Sequence, residues 1–114
     1  MTPSSPYRRG YEFELRVKKA LEKRGWVVWR SAGSHSPVDL VVAKRREWWL
    51  VQCKADGDIR PADRVTLGNL VMALFCRGAI AYRWSKALRF REITHDGEEL
   101  HCYFPGPLPK EEEN

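Results

Sequence analysis

The sequence has few cysteines and histidines, three of each, and it has no long apolar run. Cys53, Cys76 and Cys102 are widely spaced, so no pair shows the short spacing of a zinc site or a redox motif. We interpret them as reduced thiols, some of which are core residues. No segment approaches the roughly 20 apolar residues of a membrane helix, and the N-terminus lacks the apolar middle of a signal peptide. These absences predict a cytoplasmic protein, in a cell or a virus-infected host cell, with no membrane partner.

The chain carries an excess of positive charge, formally +5 over 114 residues. Part of its acidity lies in the tail at Glu111, Glu112 and Glu113, so the rest of the chain is more basic than the total indicates. A small basic domain favours a polyanionic partner, most simply nucleic acid. A well-solvated surface without a partner is the other explanation, and charge alone does not decide between them.

Apolar periodicity predicts two helices. The first covers 10–24, with one apolar stripe and with Glu14 at the edge of that stripe. The second begins at Pro61, a residue favoured at the first helical position, and Gly78 ends it. The stripe of the first helix is Phe13, Val17, Ala20 and Leu21, and that of the second is Leu67, Leu70, Val71, Leu74 and Phe75.

Segments rich in β-branched and aromatic residues predict strands between and after these helices. The predicted strands are 26–30, 38–42, 48–54, 79–84 and 88–93, with a short edge strand over 101–104. Together with the helices they predict a single α/β domain, a mixed β-sheet flanked by helices. We place a flexible basic N-terminal arm at 1–9, the folded domain at 10–104 and a Pro-rich acidic tail at 105–114.

The second and third predicted strands form a hairpin that carries polar groups at one end. A hairpin places the start of its first strand, with Asp39, beside the end of its second strand, with Gln52 and Lys54. Gln52 and Lys54 are two residues apart, so they project from the same face. Because unpaired polar groups are costly to bury in an apolar hairpin, we interpret this cluster as a metal-dependent catalytic site.

The residue types of this cluster suit Mg²⁺, which prefers a few carboxylate or carbonyl oxygens and several waters. Asp39 offers one carboxylate, Glu14 a second from the first helix, and Gln52 an amide oxygen. The backbone carbonyl of Cys53 lies between Gln52 and Lys54. The positive charge of Lys54 could orient a water or stabilise a phosphoryl transition state.

An acid followed after a strand and turn by Gln52-Cys53-Lys54 resembles the signature of the PD-(D/E)xK nucleases, whose domains have a restriction-endonuclease-like fold. A longer match over roughly residues 7–54 resembles the archaeal-type Holliday junction resolvases, a form that some viruses also carry. Its most specific part is Arg30-Ser31-Ala32-Gly33-Ser34, before Asp39, because other members of the nuclease superfamily lack it.

The resemblance implies a homodimer that nicks four-way DNA junctions symmetrically with Mg²⁺, for which Mn²⁺ can substitute. It implies that the metal is held by Glu14, Asp39, Gln52 and the backbone carbonyl of Cys53, and that Lys54 is catalytic, with Ser34 close to the scissile phosphate. The residues expected to contact DNA are Arg8, Arg9, Arg30, Ser31, Ser34, His35 and Arg60.

Two departures from the family pattern leave alternatives open. Gln52 stands where the family usually has Glu, which removes a negative charge from the metal site, and Leu15 stands where the family often has Arg. The chain could therefore be a nuclease of the same superfamily that acts on another DNA substrate, or a non-catalytic junction-binding module. His35, a lone loop histidine, could simply be exposed.

A dimer also has a physical argument, because a four-way junction offers two equivalent strands to a two-fold symmetric protein. Trp48 and Trp49 are adjacent, so on a strand they point to opposite faces. We expect one in the core and the other against a helix or a partner. The second helix and the last strands are equally good candidates for the interface.

Overall fold

Helix α1 spans Pro6–Glu22 and begins four residues earlier than predicted. The computed structural model describes residues 5–31 and 36–108. Ser5 is the N-cap, its hydroxyl accepts a hydrogen bond from the Arg8 N–H, and Pro6 occupies the first turn. Residues 6–9 are therefore helical, so the predicted flexible arm over 1–9 is wrong for them. Apolar periodicity missed this start because the first turn buries no residue.

In the described part of the chain, six strands form one mixed sheet in chain order, β1 to β6. Neighbours are antiparallel except β3 and β4, which run parallel and are joined through α2. The element order matches the predicted one, except that the short edge strand β6 lies just before 101–104, where an edge strand was predicted. The bounds are β1 Val27–Arg30, β2 Leu40–Lys44, β3 Glu47–Cys53, α2 Pro61–Leu74, β4 Arg77–Trp84, β5 Ala87–Ile93 and β6 Glu99–Leu100.

The β2–β3 hairpin lies inside the sheet, between β1 and β4, and confirms the predicted pairing. Leu40 lies opposite Val51, so the start of β2 meets the end of β3. Trp49 is fully buried, whereas Trp48 on the other face is 48% exposed and stacks on Trp29 of the edge strand β1. The two tryptophans therefore separate as strand alternation requires, and the ring contact of Trp48 is to a neighbouring strand.

The two helices cover opposite faces of the sheet. Phe13, Val17 and Leu21 of α1 pack on the face that carries Trp49 and Val51. Leu67 of α2 packs on the other face, against residues that alternate with the first set. These are Leu50, Ile80 and Ile93.

Helix α2 ends at Leu74, and Phe75 closes it in the left-handed conformation with φ 50°. Both residues were predicted to lie in the apolar stripe, which is wrong: Leu74 is exposed and Phe75 is 97% exposed. Among the described residues, no helix is long and apolar enough to cross a membrane.

The segment after β6 closes the core without forming the strand that was predicted over 101–104. Phe104 is buried and contacts the rings of Trp26, Trp49 and Phe90. The carbonyl of the following Pro105 accepts a hydrogen bond from the Trp26 indole at 2.9 Å. The start of the predicted tail is thus attached to the fold, while residues 109–114 lie outside the described part.

Candidate active site

Asp39 precedes β2 and is held by the end of β3. Its backbone N–H donates to the Val51 carbonyl at 2.9 Å, and its Oδ2 accepts from the Cys53 N–H at 2.7 Å. The backbone of β3 therefore fixes the direction of the carboxylate and occupies one of its oxygens. The hairpin register thus brings the predicted acid to the predicted Gln52-Cys53-Lys54 end.

The Asp39 carboxyl group lies where ionisation is unfavourable. Burial raises its pKa to about 6, and the negative charges of Glu14 and Asp63 act in the same direction. The Cys53 hydrogen bond and the charge of Arg30 oppose this shift. A bound cation would relieve the cost of the buried charge.

Glu14 is paired with Arg30, which β1 brings to α1. Arg30 Nε lies 2.8 Å from Glu14 Oε1, and the Arg30 guanidinium also lies 4.7 Å from the centre of the Tyr11 ring. The hydrogen bond to Glu14 raises the pKa of the Arg30 guanidinium. Glu14, which was predicted to hold metal, therefore positions Arg30, which was predicted to contact DNA.

These groups line one small cavity of about 260 Å³. Glu14 enters from α1, Arg30 from β1, Asp39 from the start of β2, and Cys53 from the end of β3. Its remaining lining residues come from the first turns of α1 and are Pro6, Tyr7, Gly10 and Tyr11. We name it the carboxylate cavity.

Lys54 lies in a second, larger cavity of about 800 Å³, which we name the cationic cavity. The Lys54 N–H donates to the Ala81 carbonyl at 2.9 Å, which fixes the backbone just beyond β3. Its ammonium group has no hydrogen-bond or ion-pair partner within residues 5–31 and 36–108. The side chain is therefore free to bind an anion.

Gln52 is buried beside the site, and its Oε1 is an acceptor without a partner in the described part of the chain. By strand alternation it projects from the face that carries Leu50, not from that of Val51. It does not line the carboxylate cavity. An unpartnered buried amide oxygen is costly, so an additional group that supplies a donor or a cation would fit here.

The other predicted DNA contacts are more scattered. Ser31 donates its N–H to the Asp39 carbonyl at 2.8 Å, whereas Arg8 pairs with Glu12 and Arg60 with Asp63 on the protein surface. Arg9 lines the cationic cavity. Ser34 and His35 lie outside the described residues.

Sequence reasoning missed several residues of this region. Tyr7 and Tyr11 line the carboxylate cavity, and Arg16 and Arg83 line the cationic cavity. The i, i+4 spacing of Tyr7 from Tyr11 could have indicated a shared helix face, had the helix start been recognised. No local signal marks Arg83, because only the parallel pairing of β4 with β3 brings it near Lys54.

The donors are hard oxygens, the type that Mg²⁺ prefers, so the residues fit a divalent cation. Asp39 has one oxygen beyond its Cys53 bond, Glu14 is the second carboxylate, and Gln52 Oε1 lacks a partner. Within the described ranges, no three His, Cys, Asp or Glu side chains are close enough together to form a metal site.

The family model for the archaeal Holliday junction resolvase, Hjc, matches residues 5–66, more than half of the chain. The chain belongs to the archaeal Holliday junction resolvase family. The matched part of this Hjc-family chain includes Glu14, Arg30, Asp39 and the Gln52–Lys54 segment.

Two Hjc proteins illustrate the relationship. The chain is 46% identical over 48 residues to the crossover junction endodeoxyribonuclease Hjc of Methanocaldococcus jannaschii, which is 42% of this chain and 35% of that protein. The match thus spans about a third of the relative's length. The structure of Hjc from Archaeoglobus fulgidus, a Holliday junction resolvase, superposes with a TM-score of 0.63 at 20% identity, covering 77% of this chain and 74% of that one. This likeness confirms the predicted restriction-endonuclease-like α/β fold.

Proposed function

We propose that this protein is an endodeoxyribonuclease that resolves four-way DNA junctions by metal-dependent hydrolysis of backbone phosphodiesters. The observation that carries the proposal is the match to the Hjc family over the segment in which Glu14, Arg30 and Asp39 line one cavity. A Mg²⁺ ion, or Mn²⁺ in its place, would be held by Glu14, Asp39 and the backbone carbonyl of Cys53, with Gln52 as the neutral fourth group. It would act in the cytoplasm of a cell or of a virus-infected host.

The side chains have distinct tasks in this proposal. When bound, the metal ion neutralises charge on the phosphate and makes a water nucleophilic. Arg30 keeps Glu14 in position through their 2.8 Å ion pair and presents its remaining N–H groups to a phosphate oxygen. The unpartnered ammonium of Lys54 stabilises the negative charge that develops on the phosphoryl oxygens.

We further propose a homodimer formed through the outer side and C-terminal end of α2. Those positions expose large apolar side chains that the described chain does not cover: Val65, Met72, Leu74 and Phe75. A second copy is the occupant that fits, because two symmetric sites are needed for two equivalent strands.

Phe75→Asn should raise the dimer dissociation constant, since Asn tolerates the left-handed conformation of this position while removing the ring. Sedimentation of this variant and of Leu100→Asn, an exposed apolar control, tests the interface; equal dimerisation of both would contradict it.

The neutral side-chain amide of Gln52 is the one observation that favours the alternative of a non-catalytic junction binder. A neutral amide holds a cation less strongly than the carboxylate usual in the family. In that case the protein would bind branched DNA tightly but leave it uncut in Mg²⁺ or Mn²⁺. A superfamily nuclease for another DNA substrate would instead use the same side chains on linear DNA.

The experiment compares an immobile four-way junction with a linear duplex of the same arms, with and without Mg²⁺, with the products mapped on a denaturing gel. We expect paired nicks near the branch point, in the junction and with metal only. Equal cleavage of both substrates would indicate a general nuclease. Binding of the junction without cleavage would indicate a junction-binding protein.

Two variants assign the activity to the proposed site. Asp39→Ala and Lys54→Ala should abolish cleavage while leaving junction binding largely intact. The matched controls are Asp96→Ala and Lys19→Ala, an exposed acid and an exposed base outside both cavities. Normal cutting by Asp39→Ala would show that the site lies elsewhere.

A further inference from the structure

The carboxylate cavity and the cationic cavity adjoin each other across the N-terminal part of α1. Three residues line both of them: Pro6, Gly10 and Cys53. The carboxylate cavity holds Glu14, Arg30 and Asp39, whereas the larger cavity holds Lys54 and none of those three residues. Because the two cavities share Gly10, they adjoin there, and we name them together the groove.

The cationic cavity is suited to an anion. Its charged lining consists of four cations and two carboxylates, namely Arg9, Arg16, Lys54 and Arg83 against Glu12 and Asp56. Glu12 is already paired with Arg8, and Asp56 accepts a hydrogen bond from the Asp58 N–H. The cavity therefore presents a net positive charge immediately beside a site proposed to cleave a phosphodiester.

Two of these cations come from elements that enclose the groove from opposite sides. Arg16 on α1 donates through Nη2 to the Lys86 carbonyl at 2.7 Å, which holds its guanidinium in the wall. Arg83 on β4 is exposed; its backbone N–H donates to the Ala55 carbonyl at 2.9 Å, but its guanidinium has no hydrogen-bond or ion-pair partner elsewhere in the described chain. Neither guanidinium would have to break a buried contact to bind phosphate, because that of Arg16 has N–H groups left to donate and that of Arg83 has no side-chain partner.

Gly10 has no structural reason to be glycine. It is inside α1, its φ is not positive, and a Cβ built there would meet nothing within 4 Å. Glycine in a helix interior costs up to about 1 kcal/mol relative to alanine. A side chain at this position would extend into the open space where the two cavities meet.

We propose that the DNA strand being cleaved runs along this groove and crosses α1 at Gly10. The scissile phosphate lies in the carboxylate cavity, and a neighbouring phosphate of the same strand lies in the cationic cavity, bound by Arg83 and Arg16. Gly10 is small because the sugar-phosphate backbone passes directly over it. The inference rests on the proposed nuclease function. Such contacts position the strand without reading its sequence, which suits an enzyme selective for shape.

The first test varies the size of the side chain over which the strand would pass. Gly10→Leu should lower both junction affinity and cleavage rate by about tenfold or more, although its melting temperature equals or exceeds that of wild type. Gly10→Ala has a similar gain in helix propensity and a much smaller side chain, so its losses of affinity and rate should be smaller than those of Gly10→Leu. Full activity of Gly10→Leu would overturn the proposed path.

The second test locates the phosphate contact. Arg83→Gln should flatten the dependence of log affinity on log salt concentration by about one unit, measured without metal. The control Arg89→Gln lies on the same hairpin: Arg83 pairs with Leu88 on the α1 side of the sheet, whereas Arg89 pairs with Tyr82 and projects from the other side. Equal slopes for Arg83→Gln and Arg89→Gln would contradict the contact.

A chemical change in the DNA completes the test. A neutral methylphosphonate next to the scissile position should weaken binding to wild type but have little further effect on Arg83→Gln, since both changes remove the same contact. If wild type cuts the junction and the two losses simply add, the groove proposal is wrong while the nuclease function stands. If wild type binds no junction at all, the proposed function fails and the groove proposal fails with it.

Discussion

Asp39 is a charged residue held where water is largely excluded, and this has a cost in stability. Burial raises the pKa of its carboxyl group from 3.8 to about 6, although the Cys53 N–H donates to it. The folded, metal-free protein thus binds a proton more tightly than the unfolded chain. The Asp39 carboxylate therefore lowers the stability of the metal-free folded protein, at a position where it can bind a cation.

We expect Asp39→Asn to stabilise the metal-free protein above pH 6. As pH rises from about 4 to 6, the wild-type folded state holds a proton that the unfolded state has lost, so its free energy of unfolding falls. At pH 7.5 the variant should be more stable by about 1–2 kcal/mol, because its amide oxygen still accepts from Cys53 but carries no charge, and solvent screens part of the cost of the wild-type carboxylate. Below pH 4 the difference should vanish.

Urea denaturation in EDTA between pH 4 and pH 8 measures this difference. Asp96→Asn, at an exposed turn, is the control and should show no such pH dependence. A stability difference for Asp39→Asn that is the same at every pH would show that the effect does not come from ionisation.

Gln52 offers the opposite substitution. Gln52→Glu should raise the affinity for Mn²⁺ by about tenfold, because ligand charge strengthens the binding of hard cations, and should lower the metal-free melting temperature, because it buries a charge. Isothermal titration and thermal denaturation measure the two effects. Gln52→Met is the comparison: it removes the unpartnered Oε1, so the metal-free protein should become more stable. Unchanged Mn²⁺ affinity in both variants would show that Gln52 does not contact the metal.

At the scale of elements, α2 packs closely enough that glycines are needed on its sheet-facing side. A Cβ on Gly68 would lie 2.8 Å from the His95 carbonyl oxygen, and a Cβ on Gly78 of β4 would lie 2.8 Å from a Val71 methyl group. Both glycines therefore set how near the helix comes to the sheet and to the turn after β5.

Gly68→Ala should destabilise the protein by about 1–3 kcal/mol, because the steric conflict with a backbone oxygen exceeds the gain in helix propensity. Gly10→Ala makes the same chemical change in the open part of α1 and should be neutral or stabilising. Chemical denaturation gives the free energy of unfolding of both variants, and the difference between them separates the steric conflict at Gly68 from the gain in helix propensity. If Gly68→Ala proved as stable as Gly10→Ala, α2 would not be packed as closely as described.

Sequence patterns predicted some helices and strands correctly and missed the ends of others. The hairpin and the stripe of α1 were predicted because strand alternation and helical periodicity are local signals that coincide with burial here. The start of α1 was missed although Ser5 and Pro6 are typical capping residues, since its first turn is exposed. Leu74 and Phe75 fit the periodicity of α2 but lie at its end and are exposed.

At the scale of the whole molecule, the C-terminal segment closes the face of the core that α1 covers. Phe104 packs among the rings of Trp26, just before β1, Trp49 of β3 and Phe90 of β5. The Pro105 carbonyl accepts a hydrogen bond from the Trp26 indole. Tyr103 adds polar contacts, since its hydroxyl bonds to Glu47 and accepts from Arg77 at 2.9 Å. These contacts join the last described segment to the first strands.

Phe104→Ala should lower the free energy of unfolding by about 3–5 kcal/mol, because it leaves a large cavity among rings that cannot collapse. Leu100→Ala removes an exposed apolar side chain nearby in sequence and should change stability by less than about 0.5 kcal/mol. Equilibrium denaturation distinguishes them. Similar small losses would indicate that the segment is not part of the core.

The sequence by itself determined the two helices, the hairpin and the position of Asp39 beside Gln52-Cys53-Lys54, because periodicity and hairpin register follow from residues close together in the chain. The pairing of Glu14 with Arg30, the burial of Phe104 and the place of Arg83 beside Lys54 depended on tertiary structure. Each joins segments that are far apart in sequence and that meet only when helices pack on the sheet and β4 pairs parallel to β3. Local preference does not encode such contacts; they arise from the shared burial of apolar surface around which the whole chain folds.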